Sequence, residues 1–248
     1  MADALAGAFR ATLPDATGGG MTQRTQLVCA WLGPIGTVML FFAMFFLMHI
    51  LPPFRPALAL GDLVAIYRTQ GTSMIAGGLL LMLATTIYAP FFAAIALQMK
   101  RMERSPIWTY VFLTSTLLAF YSVIVAEMVF STAAYRPERS DMLIQTLSDL
   151  AFILYVGTAL PGSVQMVSVG FAVLGDDRPD PIFPRWVGYL DVWAGILASP
   201  GTLIALFKFG PFAWNGALAF WVAAVAFGIW LNVNFWATRR ALLRSVPA

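Results

Sequence analysis

The sequence predicts an all-α fold: a polytopic integral membrane protein built as a bundle of six transmembrane helices. Of its 248 residues, 60% are hydrophobic and only 11% are charged, whereas soluble domains carry about 25% charged residues. The apolar residues fall into six runs of about 20 residues or more, and each run is long enough to cross a hydrocarbon core of roughly 30 Å. Because lipid offers no hydrogen-bond partners to the backbone, each run is expected to be helical.

The runs divide the chain into three parts. An N-terminal amphipathic and linker segment covers residues 1–26, the transmembrane domain covers 27–238, and a basic cytoplasmic tail covers 239–248. The loops are short, so none can hold a soluble domain. In chain order the predicted helices lie near 27–51, 71–99, 106–134, 143–174, 186–207 and 212–237.

Residues 1–20 precede the first apolar run and show a different pattern. Leu5, Phe9 and Leu13 recur at a spacing of four, which is typical of a short amphipathic helix on a membrane surface. A disordered tail is the alternative. A mildly amphipathic stretch before the second run, residues 58–67, is expected to lie along the membrane interface.

The positive charges predict the orientation of the bundle. With a cytoplasmic N-terminus, ten lysines and arginines fall on the inner side and five on the outer side, as the positive-inside rule requires. Both termini are therefore expected in the cytoplasm, and the membrane is expected to be a bacterial cytoplasmic (inner) membrane. The inner set is Arg10, Arg24, Lys100, Arg101, Arg104, Arg178, Arg185, Arg239, Arg240 and Arg244; the outer set is Arg55, Arg68, Arg136, Arg139 and Lys208.

Composition excludes several functional classes. Cys29 is the only cysteine and His49 the only histidine, so the chain has no intramolecular disulfide, no cysteine-cluster metal site and no bis-histidine haem site. The basic residues form no stripe, which excludes a nucleic-acid partner. No cofactor is indicated by any motif.

Three ionisable side chains lie inside the apolar runs and are the candidate catalytic residues: Glu127, Asp149 and Asp191. A helix rises about 1.5 Å per residue, which places His49, Glu127 and Asp149 at similar depth near the outer boundary. If they converge, they form a candidate metal site or a proton-transfer pair. The alternative is that each group bonds locally. Asp191 is expected near the cytoplasmic end, where a local salt bridge is its alternative role.

Four prolines lie within the predicted helices: Pro34, Pro90, Pro161 and Pro200. Each removes a backbone hydrogen bond inside the membrane. Broken helices form substrate sites in transporters, and simple kinks are the alternative.

Three functions remain open. The leading hypothesis is a non-catalytic protein that binds a lipophilic small molecule or packs as a subunit of a membrane complex, because the central layer lacks charge and the helices are rich in aromatic residues and methionine. An enzyme acting on a lipid-soluble substrate at an outer-leaflet His49, Glu127 and Asp149 site is the second. A small transporter that uses the proline breaks is the third.

Overall fold

The protein was analysed as a computed structural model, which describes the backbone of residues 19–244 and the side chains of residues 22–244. The amphipathic helix predicted near Leu5, Phe9 and Leu13 lies outside the described residues, as do residues 245–248. Seven α-helices are present in the described part of the chain. They are α1 (Gly19–Phe42), α2 (Leu60–Met102), α3 (Ile107–Tyr135), α4 (Asp141–Gly157), α5 (Ala159–Leu174), α6 (Arg185–Ala198) and α7 (Ala223–Arg244).

Six helical segments are long and apolar enough to cross a membrane, which confirms the predicted all-α class and the predicted number of spans. We call them the first to sixth spans. They are Thr22–Leu47, Leu60–Met102, Ile107–Tyr135, Asp141–Leu174, Arg185–Leu206 and Ala217–Arg244.

The second span is longer than the sequence pattern predicted. It begins at Leu60 rather than near residue 71, and its 43 residues extend over about 65 Å. The stretch 58–67, expected to lie along the interface, therefore forms the first turns of α2 from Leu60 onward. Ala59, in an extended conformation, directly precedes this helix, and the first turn of the helix carries Asp62, a favourable charge at a helix N-terminus.

The two described chain ends lie together at one end of the bundle, which we call the terminal end. The Gln23 side-chain amide donates a hydrogen bond to the Leu242 carbonyl over 2.5 Å, and Gln98 of α2 donates to Gln26 over 3.1 Å. At the opposite, distal end, Arg68 pairs with Asp141 at 2.7 Å.

The buried side chains form two cores, one above the other along the bundle. The terminal core is centred on Phe91, Phe92 and Trp230. The distal core is centred on Tyr67, Phe130 and Phe152. Leu40 of the first span packs against both cores, so the first span joins the two halves.

Helices α5 and α6 approach each other through glycines. A Cβ atom placed on Gly170 would lie 2.8 Å from the Gly188 carbonyl oxygen, and one on Gly195 would lie 2.8 Å from the Ser163 carbonyl oxygen. Side chains cannot occupy those positions without moving a backbone, so small residues are required at this interface, as is common between membrane helices.

Three helical segments depart from α geometry, each at the distal end of its span. Ala43–Leu47 and Ala217–Val222 are π-helical turns, and Ser199–Leu206 is a 3₁₀ helix that contains Pro200. The fourth span is interrupted between Gly157 and Ala159, just before Pro161. Gly201 brings several of these irregular segments together: a Cβ there would lie 3.1 Å from the Val156 carbonyl oxygen and 3.3 Å from the Ala219 carbonyl oxygen.

The terminal-end loop between α5 and α6 is organised by Asp176. Its carboxylate accepts hydrogen bonds from the Arg178 guanidinium at 2.7 Å and 3.0 Å and from the Ile182 amide at 3.0 Å. Burial raises the pKa of Asp176, but these hydrogen bonds and the Arg178 charge outweigh burial and leave the pKa below its ordinary value. The ionised form of Asp176 therefore stabilises the fold.

We expect Gly170→Ala to destabilise the protein by about 1–3 kcal/mol, because the added methyl group overpacks the α5–α6 contact. The thermal unfolding midpoint in detergent measures the effect. Gly228→Ala is the matched control, since a Cβ on that helical glycine meets no atom within 4 Å. Equal midpoints for the two variants would show that the glycine contact does not limit stability.

We expect Asp176→Asn to lower stability by about 1–2 kcal/mol at pH 7, the scale of a hydrogen-bonded buried charge. Because the folded pKa is lowered, this contribution is present above the unfolded pKa of about 3.9 and is lost as the pH falls through the folded pKa. The midpoints of wild type and variant should therefore converge below about pH 4. Asp180→Asn, in the same loop but exposed, is the control and should have little effect.

Candidate functional site

A cavity of about 220 Å³ lies between the terminal and distal cores. All six spans contribute to its wall, the second only through Thr85 and the fifth only through Ala198. Its wall is mostly aliphatic and aromatic, as small-molecule sites usually are. The side chains that form the wall include Leu40, Phe41, Met44, Thr85, Phe120, Val123, Tyr155, Gln165, Met166, Phe220 and Phe227.

The irregular helical segments border this cavity. Met44 belongs to one π-helical turn and Phe220 to the other, Thr158 lies at the interruption of the fourth span, and Ala198 directly precedes the 3₁₀ helix. Irregular backbone at membrane depth is tolerated where it is buried in protein or lines a cavity, and π-helical turns are frequent at functional sites. The breaks predicted at Pro161 and Pro200 therefore occur beside a cavity.

One polar group in the cavity wall has no partner. The Gln165 side chain is 1% exposed, and its Nε2 forms no hydrogen bond. The other polar side chains of the wall are engaged: Thr85 and Thr158 donate to carbonyls of their own helices at 2.8 Å and 2.7 Å. The Tyr155 hydroxyl lies 3.1 Å from the Met44 sulfur. Gln165 is thus a free hydrogen-bond donor in an otherwise apolar cavity.

The cavity continues sideways toward the lipid-facing surface. Phe41, Leu51 and Ala224 line both the cavity and a groove between the first and sixth spans. The groove continues along Trp221 and Gly228. The cavity and the groove are therefore neighbours that share these three residues.

His49 lies in the turn after the first span, at the distal end, with an exposed side chain. Its backbone φ is 55°, in the left-handed region where histidine is one of the tolerated residues. Its Nδ1 is 3.2 Å from the Leu47 carbonyl oxygen. The only histidine is therefore on the surface with a local backbone contact.

Glu127 is fully enclosed between α2 and α3, with 0% exposure. Neither carboxylate oxygen has a hydrogen-bond partner. It faces Gly78, where a Cβ would lie 3.7 Å from Glu127 Oε2 and 2.8 Å from the Ser131 hydroxyl. Tyr155, which lines the cavity, lies within electrostatic range. Glu127 is therefore a buried carboxyl group behind the cavity wall.

Asp149 has a different environment from Glu127. Its side chain is partly exposed, and the Lys208 ammonium group attracts it electrostatically. Both residues contribute to the electrostatic surroundings of Tyr67. Asp149 thus lies at the distal rim, close to solvent and a basic side chain.

Asp191 is fully buried in the terminal half, with 0% exposure. Asn234 Nδ2 donates to Asp191 Oδ1 over 2.8 Å and to the Trp230 carbonyl over 3.0 Å. Asp191 Oδ2 has no partner. The salt bridge considered for Asp191 is absent from the described residues, whose ion pairs join Arg68, Arg178 and Arg244 to other acids.

Within residues 22–244, no three His, Cys, Asp or Glu side chains form a group able to hold a metal ion. His49, Glu127 and Asp149 share the distal half but differ in burial, and no contact joins them. The catalytic roles of Glu127, Asp149 and Asp191 stay predictions.

Sequence inspection missed Gln165, Asn234 and Thr238. Neutral polar residues are common in membrane helices, so each alone gave no signal. The spacing of Trp230, Asn234 and Thr238 at four-residue intervals was the available clue, because it puts three polar groups on one helix face. No protein-family model, curated protein or solved structure matches this chain.

Proposed function

We propose that the protein is a non-catalytic membrane protein that binds a lipophilic molecule in its central cavity. The observation that carries this proposal is the unpartnered Gln165 amide in an apolar wall. A buried donor without a partner is unfavourable by about 1–3 kcal/mol, and a ligand carbonyl or hydroxyl oxygen would satisfy it. The ligand is therefore an apolar molecule with a hydrogen-bond acceptor on its buried part.

The size of the cavity limits the ligand. Pockets for drug-sized ligands measure roughly 300–1,000 Å³, whereas this cavity measures about 220 Å³. A compact ring or head group fits, and an attached hydrocarbon chain would leave through the groove between the first and sixth spans. Phe41 and Trp221 provide apolar surface for such a chain.

We further propose that the terminal end faces the cytoplasm of a bacterial inner membrane. Among residues 22–244, the terminal end carries nine lysines and arginines and the distal end five, and these fourteen are all that this part of the chain contains. The positive-inside rule favours this orientation.

The ligand test is purification of the full chain in mild detergent, followed by mass spectrometry of the organic extract. Wild type should retain a discrete lipophilic compound. Gln165→Met, which removes the donor at similar size, should reduce retention roughly tenfold, the value of one hydrogen bond of about 1.4 kcal/mol. Gly162→Leu should also reduce it, because Gly162 lines the cavity and a Cβ there meets no atom within 4 Å.

Gln145→Met is the matched control, since Gln145 lies in α4 and does not line the cavity. It should retain the compound at the wild-type level. Recovery of bulk lipid alone from wild type, or equal recovery from all four proteins, would contradict the proposal.

A second candidate function, transport, is favoured by the position of the helix breaks. Breaks in the first, fourth, fifth and sixth spans surround one cavity, and transporters place discontinuous helices around a central substrate site. Rearrangement of such segments would open the cavity toward each end in turn.

Access to the cavity distinguishes transport from binding. Cys29→Ser removes the only cysteine, and Ala159→Cys then places a thiol in the cavity wall. In oriented vesicles, a transporter should be labelled by a membrane-impermeant maleimide added to either side. A lipid-facing binding site should be protected from both sides. Ala59→Cys, at the exposed distal end, is the control and should react from one side only.

A further inference from the structure

A second group of unpartnered polar atoms lies in the terminal core, apart from the cavity wall. Asp191 Oδ2, Asn234 Oδ1, Thr238 Oγ1 and Trp230 Nε1 all lack hydrogen-bond partners. The four side chains are each 0% exposed. Native proteins leave few buried polar groups unpaired, and such groups often mark a bound ion or water. We call these four residues the Asp191 cluster.

Their arrangement brings three oxygen atoms to one region. Trp230, Asn234 and Thr238 follow one another at four-residue spacing and so share one face of α7. Asn234 contacts Asp191 of α6 directly, with Nδ2 and Oδ1 2.8 Å apart. Because Asn234 Nδ2 is already engaged with Asp191 and with the Trp230 carbonyl, the free atom of that amide is its oxygen.

Thr238 is one of three threonines in the described part of the chain whose buried hydroxyl has no hydrogen-bond partner; the others are Thr116 and Thr202. Eight other threonines in the helices donate to the carbonyl four residues earlier: Thr37, Thr69, Thr85, Thr86, Thr114, Thr132, Thr146 and Thr158. Thr238 makes no such bond although it is fully buried. Its hydroxyl oxygen is therefore available to a ligand instead of to its own helix.

The single negative charge of Asp191 favours a monovalent cation as the ligand of the cluster. An ionised carboxylate removed from water requires an opposite charge or several donors, and Asp191 receives one amide hydrogen bond and no basic partner among the described residues. One carboxylate is neutralised by one positive charge, whereas a divalent ion would leave an excess charge in an apolar core. Carboxylate, amide and hydroxyl oxygens are the ligands that hard cations prefer.

We propose that Asp191, Asn234 and Thr238 form a binding site for sodium. Asp191 supplies the charge, and the Asn234 and Thr238 oxygens complete the protein's side-chain ligands. Asp191 lies six residues from the start of α6 at Arg185, about 9 Å from the terminal end, so the ion reaches the site from that side. The site does not depend on a ligand in the central cavity.

The test is thermal unfolding of the purified full chain while sodium chloride replaces choline chloride at constant ionic strength. An ion that binds the folded protein raises the unfolding midpoint with the logarithm of its concentration. Wild type should show this rise with sodium and a weaker rise with potassium. Asp191→Asn should abolish it. Thr238→Val, which keeps the side-chain shape, should raise the sodium concentration required roughly tenfold.

Glu127→Gln is the matched control, since Glu127 is also a fully buried carboxyl group but lies in the distal half. It should keep the wild-type sodium response. Equilibrium binding of radioactive sodium to wild type and Thr238→Val provides a second measurement if Asp191→Asn does not fold.

Three results would overturn the proposal. The first is an unfolding midpoint of wild type that is the same in sodium and choline. The second is a sodium response that persists in Asp191→Asn. The third is stabilisation by acid alone with no further effect of sodium, which would show that the cluster binds a proton or water rather than a metal ion.

Discussion

Hydrocarbon supplies no hydrogen-bond partners, and this constraint governs the whole structure. Each span satisfies its backbone groups within a helix. Where the helical pattern changes, at Ala43–Leu47, Gly157–Ala159, Ser199–Leu206 and Ala217–Val222, most of the affected segments contribute residues to the wall of the central cavity. The same constraint makes buried polar side chains informative. A helix can leave a donor such as Gln165 Nε2 unpaired only at an energetic cost, and a bound partner removes that cost.

The close contact of α5 and α6 determines where the two cores and the cavity can form. Gly170, Gly188 and Gly195 let the two backbones meet, and Asp191 lies on α6 between Gly188 and Gly195. Toward the distal end the same pair of spans continues as the 3₁₀ helix and the interrupted fourth span, which meet closely at Gly201 and border the cavity. The fourth and fifth spans thus pack through regular helices in the terminal half of the bundle and through irregular backbone in the distal half.

The sequence predicted the spans well because length and hydrophobicity depend on each segment alone. The sequence was less accurate for features that depend on contacts between helices, such as the environment of a side chain. The stretch 58–67 has a mildly amphipathic pattern that suited an interfacial segment, but from Leu60 it joins α2. Depth along a helix placed Glu127 and Asp149 in the same layer, yet depth does not report rotation about the helix axis, and the two side chains differ in burial. Gln165 and Thr238 became informative only when their missing partners could be identified in the structure.

The sixth span connects the two polar features. Phe227 lines the cavity and stacks on Trp230, with ring centroids 5.9 Å apart. The Trp230 carbonyl in turn accepts a hydrogen bond from Asn234, which contacts Asp191. A chain of contacts therefore runs from the cavity wall to the Asp191 cluster within three helical turns. Energetic coupling between the cavity and the Asp191 cluster would require, in addition to these contacts, a structural element that adopts two arrangements. The π-helical turn Ala217–Val222 begins the same span and contributes Phe220 to the cavity, so one span carries side chains of both sites.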